Sequence, residues 1–291
     1  KELAQAYYKD NKRQNKVLIL AIAMSVILLY SAFSIAYGKI RSDYLIDIRG
    51  MGTVATVSLE NGSEAQYEQM KSLPYIIDTG IKKTVGSATF QDYWEGQLIY
   101  LDDSAYEKMM MPAYTDIIGS YPQKADEIML SASSLQQMEI DHPVIGMEIE
   151  LRTILSEGAE ETDLFSLSGY YTDYVDFSVT EPEAYVSKAF LDQQEISAFP
   201  ADKIMAVTGS LQDERGIETK LYSDLTMEYA AQQVSAENPM VKQSVEGVFG
   251  SVSIAAGCGI VVILCAFMLI FNVVSITMGK EIRQYGMLKV L

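Results

Sequence analysis

The sequence contains few of the residues on which many enzymes and secreted scaffolds depend. Its 291 residues include one histidine, His142, and two cysteines, Cys258 and Cys265. Residues 38–247 contain no cysteine, so this stretch forms no internal disulfide. His142 has no second histidine with which to share a zinc ion, and a Ser-His-Asp triad has little support. These absences argue against a disulfide scaffold, a zinc site and a serine hydrolase.

The sequence also lacks the features of nucleotide and nucleic-acid binding. No G-x-x-x-x-G-K-[ST] loop occurs, so we expect no ATP site in the chain itself. The 39 acidic and 22 basic residues give a formal charge of −17. Nucleic acid is not an expected partner, because contacts to phosphate need a positive face. We predict no catalytic, metal-binding or cofactor-binding residues.

Two long uncharged stretches dominate the rest of the pattern, residues 17–37 and 248–278. About 20 apolar residues in a helix cross a hydrocarbon core of ~30 Å, so both stretches predict transmembrane helices. The second is longer than one crossing needs, and we expect part of it to form a stalk. The alternative for residues 17–37 is a signal peptide cleaved near Ser34 to Ala36. Signal peptides usually have shorter apolar cores of ~7–15 residues.

The charges predict the topology. Residues 1–16 and 279–291 are net positive, whereas residues 38–247 carry 36 of the acidic groups. The positive-inside rule therefore places both ends in the cytoplasm and the middle outside. The predicted organisation is a cytoplasmic lead-in (1–16), a transmembrane helix (17–37), an extracytoplasmic domain (38–247), a stalk with a second transmembrane helix (248–278) and a cytoplasmic segment (279–291).

Residues 38–247 show short strand patterns that alternate with short helix patterns. The pairs Ser63 with Gln66 and Ser104 with Glu107 have capping-box spacing, and we predict that a helix begins at each. A further helix is expected over residues 225–234, and the acidic residues 156–163 are expected to form a solvated loop. The predicted fold class is a membrane protein in which two transmembrane α-helices flank an α+β domain of two subdomains.

The second transmembrane stretch contains small residues at a regular spacing. Ser251, Ala255 and Gly259 follow each other at intervals of four, which places them on one helix face. Small residues at this spacing let membrane helices approach closely, so we predict a packing face for a helix of this chain or of a second subunit. The alternative is that glycine and serine are simply common in transmembrane helices.

The residues after the second stretch carry a family resemblance. Gln284, Gly286, Leu288 and Lys289 match the pattern R-x-x-[E/Q]-x-G-x-L-[K/R]-x-[L/I]-G, and Lys280 and Arg283 lie near its basic position. The segment resembles the FtsX/MacB-like ABC transporter permeases, which have this pattern just inside the membrane. Residues 122–130 and 145–151 are similar to the periplasmic core domain of that family.

The resemblance implies a multi-pass permease subunit in the bacterial plasma membrane. Such a chain would continue beyond Leu291 into further transmembrane helices, and would pair with a second copy or a homologous half. A separate cytoplasmic ABC ATPase would hydrolyse ATP and move the extracytoplasmic domain. That movement would export or extract a peptide, drug or lipoprotein, or activate an envelope process. The permease itself is not expected to be an enzyme.

The resemblance also implies a role for the segment that follows the second helix. It would couple the permease to the ATPase through six residues: Lys280, Arg283, Gln284, Gly286, Leu288 and Lys289. We expect Gly286 to let the chain change direction there. The alternative is an ordinary basic flank that fixes topology only.

A different class of protein shares this architecture. A two-span sensor or chemoreceptor also places an extracellular ligand-binding domain between two transmembrane helices. Such receptors continue into a long helical signalling module, which Gly286 suits poorly. The sequence after Leu291 separates the two, because further apolar spans indicate a permease and heptads or a kinase domain indicate a sensor.

Overall fold

The chain divides into a helical unit and a mixed α/β unit. The structure is a computed structural model that describes residues 12–91, 94–155, 158, 160–175, 181–209, 214–229, 232–237 and 240–288. One unit consists of Lys1–Asp43 with Ser244–Leu291, and the second consists of Tyr44–Gln243. Each unit is described by itself below.

The elements follow one another in a largely alternating order. The first half contains α1 (Lys12–Met51), β1 (Val57–Gly62), α2 (Glu64–Ser72), β2 (Ile76–Phe90), β3 (Trp94–Leu101), a π-helix (Ala105–Met110), a 3-10 turn (Met111–Ala113), β4 (Thr115–Gly119) and β5 (Glu127–Ser131). The second half contains α3 (Ala132–Gln137), β6 (Glu148–Leu155), β7 (Glu160–Thr172), β8 (Glu183–Val186), α4 (Lys188–Gln193), β9 (Ala201–Thr208), α5 (Glu214–Asp224), β10 (Val234–Ala236) and α6 (Met240–Leu288).

The helical unit contains two helices that are long and apolar enough to cross a membrane. The segments Ile19–Met51 and Val252–Ile276 have mean hydropathies of 2.3 and 2.8. Their large apolar side chains are mostly exposed in this chain. The hydroxyls of Ser25 and Ser31 donate to carbonyls one turn earlier in the same helix, so these polar groups need no other partner. The prediction of two apolar helices flanking an α/β domain is confirmed.

Six strands of the second unit close into a barrel. The order is β2-β3-β8-β5-β7-β6, and β6 pairs back to β2. The β3–β8 and β5–β7 pairs are parallel and the others are antiparallel. Alternate side chains from these strands form one hydrophobic core, which α3 and α4 extend with Leu135 and Phe190.

Of the other four strands, β4 pairs with β7 of the barrel, and the remaining three form a sheet that continues from the barrel. Its order is β10-β1-β9-β2, with antiparallel pairing throughout. Strand β2 belongs to both parts, because residues 76–82 pair with β9 and residues 82–90 pair with β3. The core of this sheet is packed by α2 and α5 through Met70 and Leu221. One uninterrupted strand therefore connects the two parts of the domain.

One predicted capping box is confirmed and the other is wrong. The side chain of Ser63 accepts from the backbone of Gln66, whose side chain accepts from Ser63 in turn. Ser104 makes no side-chain cap. The side chain of Asp102 caps the helix instead. Its carboxylate accepts from the backbone N–H of Ala105 at 2.8 Å and of Ile81 at 3.0 Å. A carboxylate that joins the helix start to β2 satisfies two backbone groups at once.

Two further predictions about local structure are corrected. The described part of residues 225–234 forms no helix; the helix is α5, which ends at Asp224, and β10 begins at Val234. Residues 160–163 of the predicted acidic loop belong instead to a β6–β7 hairpin, in which Arg152 pairs with Glu160 at 3.2 Å. The hydroxyl of Thr153 donates to Asp163 at 2.5 Å. Cross-strand partners thus draw acidic residues into a strand. Residues 156, 157 and 159 of that loop lie outside the described part of the chain.

Candidate functional site

The segment that follows α1 is held by the π-helix and by β9. The carbonyl of Met109, near the end of the π-helix, accepts from the backbone N–H of Val54 at 2.8 Å and from the hydroxyl of Thr53 at 3.2 Å. The N–H of Thr56 donates to Ala206 in β9 at 2.9 Å. Residues 53–56, which we call the entry segment, are therefore fixed before β1 begins.

The segment that leads toward α6 lies beside the entry segment. Strand β10 pairs with β1, and the N–H of Glu237 donates to the carbonyl of Thr56 at 3.1 Å. The carboxylate of Glu237 accepts from Lys203 at 2.7 Å and from Ser58 at 2.5 Å. Residues 234–237 form the exit segment. The entry and exit segments are thus hydrogen-bonded neighbours, and we call them together the junction.

The π-helix is itself tied to the long strand β2. Its residue Lys108 forms an ion pair with Asp78 of β2. Gly80 of β2 approaches Ala105 so closely that a Cβ at Gly80 would lie 2.6 Å from the backbone nitrogen of Ala105. π-Helical turns are rare and occur often at functional sites. Here the turn connects the entry segment to the strand shared by the barrel and the sheet.

A cavity of about 470 Å³ lies next to the junction within the domain. Its lining includes apolar side chains, charged side chains and tyrosines. The residues that line it include Met51, Lys82, Met110, Tyr114, Tyr171, Asp173, Val175, Glu181, Glu183, Tyr185, Lys203, Met205 and Glu237.

Three buried tyrosines form one side of the cavity. The ring of Tyr171 stacks on those of Tyr114 and Tyr185, with centroid distances of 4.1 and 5.7 Å. The hydroxyls of Tyr114 and Tyr185 are 2.5 Å apart, and Tyr185 donates to Glu183 at 3.1 Å. Burial raises the pKa of all three tyrosines well above 10. They are therefore neutral hydrogen-bonding groups with no nucleophilic phenolate.

The charged groups of the cavity divide into paired and unpaired ones. Lys82 pairs with Glu183 at 2.5 Å, and Lys203 pairs with Glu237. Asp173 accepts from the hydroxyl of Ser133 at 3.2 Å. Burial is the largest cause that raises the pKa of Asp173 above its usual value. Both lysines of the lining are thus already neutralised by carboxylates.

The residues predicted for helix packing lie on α6. Ala255 and Gly259 are both buried, although most residues around them are exposed. A Cβ at Gly259 would lie 3.2 Å from Cδ2 of Leu29 and 3.8 Å from Cε2 of Phe33, both in α1. Gly257, two residues earlier, has nothing within 4 Å of such a Cβ. The backbone of Ser251 is helical, and its side chain lies outside the description.

The residues predicted for coupling to an ATPase lie at the end of the described chain. The backbones of Lys280, Arg283, Gln284, Gly286 and Leu288 are part of α6, and their side chains are not described. Lys289 lies outside the described residues. Gly286 lies within α6, whose described part ends at Leu288, and the coupling role of this segment stays a prediction. In the part of the chain that the structure describes, no group of three or more His, Cys, Asp or Glu is placed to hold a metal ion.

Sequence reasoning did not identify the junction or the tyrosine cluster. Strand β1 begins only at Val57, because residues 53–56 bond to the π-helix and to β9. The three stacked tyrosines come from β8, from β7 and from the residue before β4, with no regular spacing. Their one visible signal was the abundance of tyrosine, 19 residues in all.

Comparison with known proteins finds similar solved structures but no matching family model. No protein-family model matches the chain, and no curated protein matches it. The structure is similar to the periplasmic region of MacB from Actinobacillus actinomycetemcomitans, at 12% identity and a TM-score of 0.43, over 70% of this chain and 97% of that one. It is also similar to the extracellular domain of the noncanonic ABC-type transporter YknZ from Gram-positive bacteria, at 10% identity and a TM-score of 0.41, over 62% and 98%.

Proposed function

We propose that the chain is a permease subunit of an ABC-type transporter. A cytoplasmic ATPase partner hydrolyses ATP, and α1 and α6 transmit the resulting motion to the extracytoplasmic domain. The work done there is export or extraction of a peptide, drug or lipoprotein, or activation of an envelope process. A second permease copy or a homologous half completes the transporter.

The observation that carries this proposal is the junction. The segment after α1 and the segment before α6 are adjacent, since β1 pairs with β10 and Glu237 bonds to Thr56. The entry segment is also bonded to the π-helix, which in turn contacts β2. A displacement of either helix end therefore acts on both segments and on the strand shared by barrel and sheet. Packed elements transmit displacement because protein interiors are dense and barely compressible.

The two long helices support a position in the plasma membrane. Their apolar side chains are exposed along most of their length, and a soluble protein rarely exposes such an area. A lipid bilayer covers these apolar side chains at the lowest cost in free energy. The basic residues at both ends of the chain then lie in the cytoplasm. In this arrangement residues 38–247 lie outside the cell membrane and residues 279–291 face the ATPase.

The cytoplasmic segment supports a permease over a sensor. Gln284, Gly286, Leu288 and Lys289 fit the permease pattern, and the sequence has no phosphate-binding loop of its own. Lys280 and Arg283 add positive charge beside the membrane surface. Leu288 offers an apolar side chain for a groove on the ATPase. ATP hydrolysis therefore belongs to the partner.

The test is co-purification with the cognate ATPase and ATP turnover, using the full-length protein in lipid nanodiscs. Leu288→Asp places a carboxylate in the docking groove, where burial without a partner is costly. Gly286→Val adds a side chain at a position that the motif keeps small. We expect each variant to reduce ATPase association or permease-dependent turnover at least about tenfold, which corresponds to ~1.4 kcal/mol.

Gly279→Val is the matched control for this experiment. Gly279 is in the same helix seven residues earlier, outside the motif, and a Cβ there meets nothing within 4 Å. It should retain normal association and turnover. Wild-type association and turnover for Leu288→Asp and Gly286→Val would mean that the segment is an ordinary basic flank. Absence of any ATPase partner for the full-length protein would refute the permease proposal.

A further inference from the structure

The cavity beside the junction has the size and the mixed lining of a ligand site. Its volume of about 470 Å³ is within the range of ~300–1,000 Å³ that small-molecule sites occupy. One part of the wall is apolar and includes Met51, Met110, Val175 and Met205. Methionine side chains adapt to ligands of different shape. The cavity therefore offers an adaptable surface to an apolar body.

The charges of the lining favour a cation over an anion. Among the described lining residues, four carboxylates face two lysines. Each lysine is within 2.7 Å of a carboxylate oxygen, so an anion would have to break one of these ion pairs. The cavity thus has an excess of two negative charges after pairing.

Two carboxylates account for that excess. Asp173 and Glu181 accept hydrogen bonds from neutral groups, the Ser133 hydroxyl and the side-chain amide of Gln97. Within the described part of the chain neither forms an ion pair. Asp173 is also half-buried, and burial of its charge raises its pKa. A bound cation would relieve this cost, because an opposite charge favours the ionised carboxylate.

We propose that this cavity binds an organic cation, a primary ammonium or guanidinium group carried on an apolar body. The cationic head lies toward Asp173 and Glu181, and the apolar body lies against the methionines. The neutral tyrosine hydroxyls supply further hydrogen-bond partners. The proposal concerns binding alone, so it holds or fails independently of coupling to an ATPase.

The test uses two fluorescent probes that differ mainly in the charge of one end. Dansylcadaverine carries a primary ammonium group, and dansyl-aminohexanoate carries a carboxylate on a chain of matched length. Binding to the full chain in lipid nanodiscs is followed by fluorescence anisotropy, with empty nanodiscs as the reference for partition into lipid. We expect saturable binding of the ammonium probe and at least about tenfold weaker binding of the carboxylate probe.

The variants locate the site. Asp173→Asn with Glu181→Gln removes both unpaired carboxylates at nearly constant shape, and should weaken binding of the ammonium probe at least about tenfold. Glu148→Gln with Glu150→Gln removes two exposed carboxylates from β6, outside the cavity, and should leave binding unchanged. Circular dichroism verifies that both double variants fold. Equal binding of the two probes, unsaturable binding, or equal effects of the two double variants would overturn the proposal.

Discussion

At the scale of single residues, Asp173 carries a charge that the folded domain stabilises poorly. Burial raises its pKa, and the hydrogen bond from Ser133 opposes this only in part. The folded state therefore binds the proton more tightly than the unfolded chain does. For such a group the contribution to stability is largest below the unfolded pKa and is lost as the pH rises through the folded pKa.

The raised pKa of Asp173 in the folded state leads to a prediction for Asp173→Asn. The amide cannot ionise, so the variant should have a higher free energy of unfolding than the wild type at pH 7. The difference should shrink as the pH falls and vanish below the usual aspartate value of 3.8. Thermal unfolding of the two proteins in nanodiscs across this pH range measures it. Asp141→Asn removes an exposed charge and corrects for the change in net charge. A variant less stable than the wild type at pH 7 would contradict the argument.

Residue roles could be predicted where the cause is local. Ser63 and Gln66 form the predicted capping box, because both partners lie within one helical turn. Tyr114, Tyr171 and Tyr185 meet only through the tertiary fold, so no spacing in the sequence predicts their stack.

At the scale of elements, the strands were easier to predict than their partners. The patterns at residues 127–130 and 184–186 predict the strands β5 and β8. Their pairing with each other, and the parallel pairing of β8 with β3, depends on residues more than 50 positions apart. The closed barrel follows from these long-range pairs. The helix at Ala105–Met110 was predicted near its true place, but its cap came from Asp102 and its turn is π-helical.

The contact between α1 and α6 gives a prediction at this scale. Gly259→Ile adds a branched side chain where a Cβ already lies 3.2 Å from Leu29. Overpacking of this kind costs about 1–3 kcal/mol, so the variant should unfold at a lower temperature in nanodiscs. Gly257→Ile makes the same change in an open position of the same helix and should not. Equal unfolding temperatures for both variants would contradict a packing role for Gly259.

At the scale of the whole molecule, the sequence predicts the order of the helices and the domain but not the contact between the domain's two ends. The order of helix, domain and helix was readable from two uncharged stretches, because hydropathy over ~20 residues is a strong signal. The junction was not, because it depends on β1 meeting β10 after about 170 residues of intervening chain. The pairing of β1 with β10 brings the beginning and the end of the domain together.

Topology is the property of the whole chain that the proposed function most needs. With both helices in a membrane and basic residues at their outer ends, residues 38–247 should be extracytoplasmic. In a background in which Cys258 and Cys265 are replaced by alanine, Asp141→Cys places one thiol in an exposed loop of the domain. Gln14→Cys places one before the first apolar stretch. A membrane-impermeant maleimide added to intact cells should modify the cysteine at 141 and should modify the one at 14 only after lysis. Modification at 14 with protection at 141 would show the opposite topology to the predicted one. The basic segment after α6 would then lie on the side of the membrane where no ATPase can reach it.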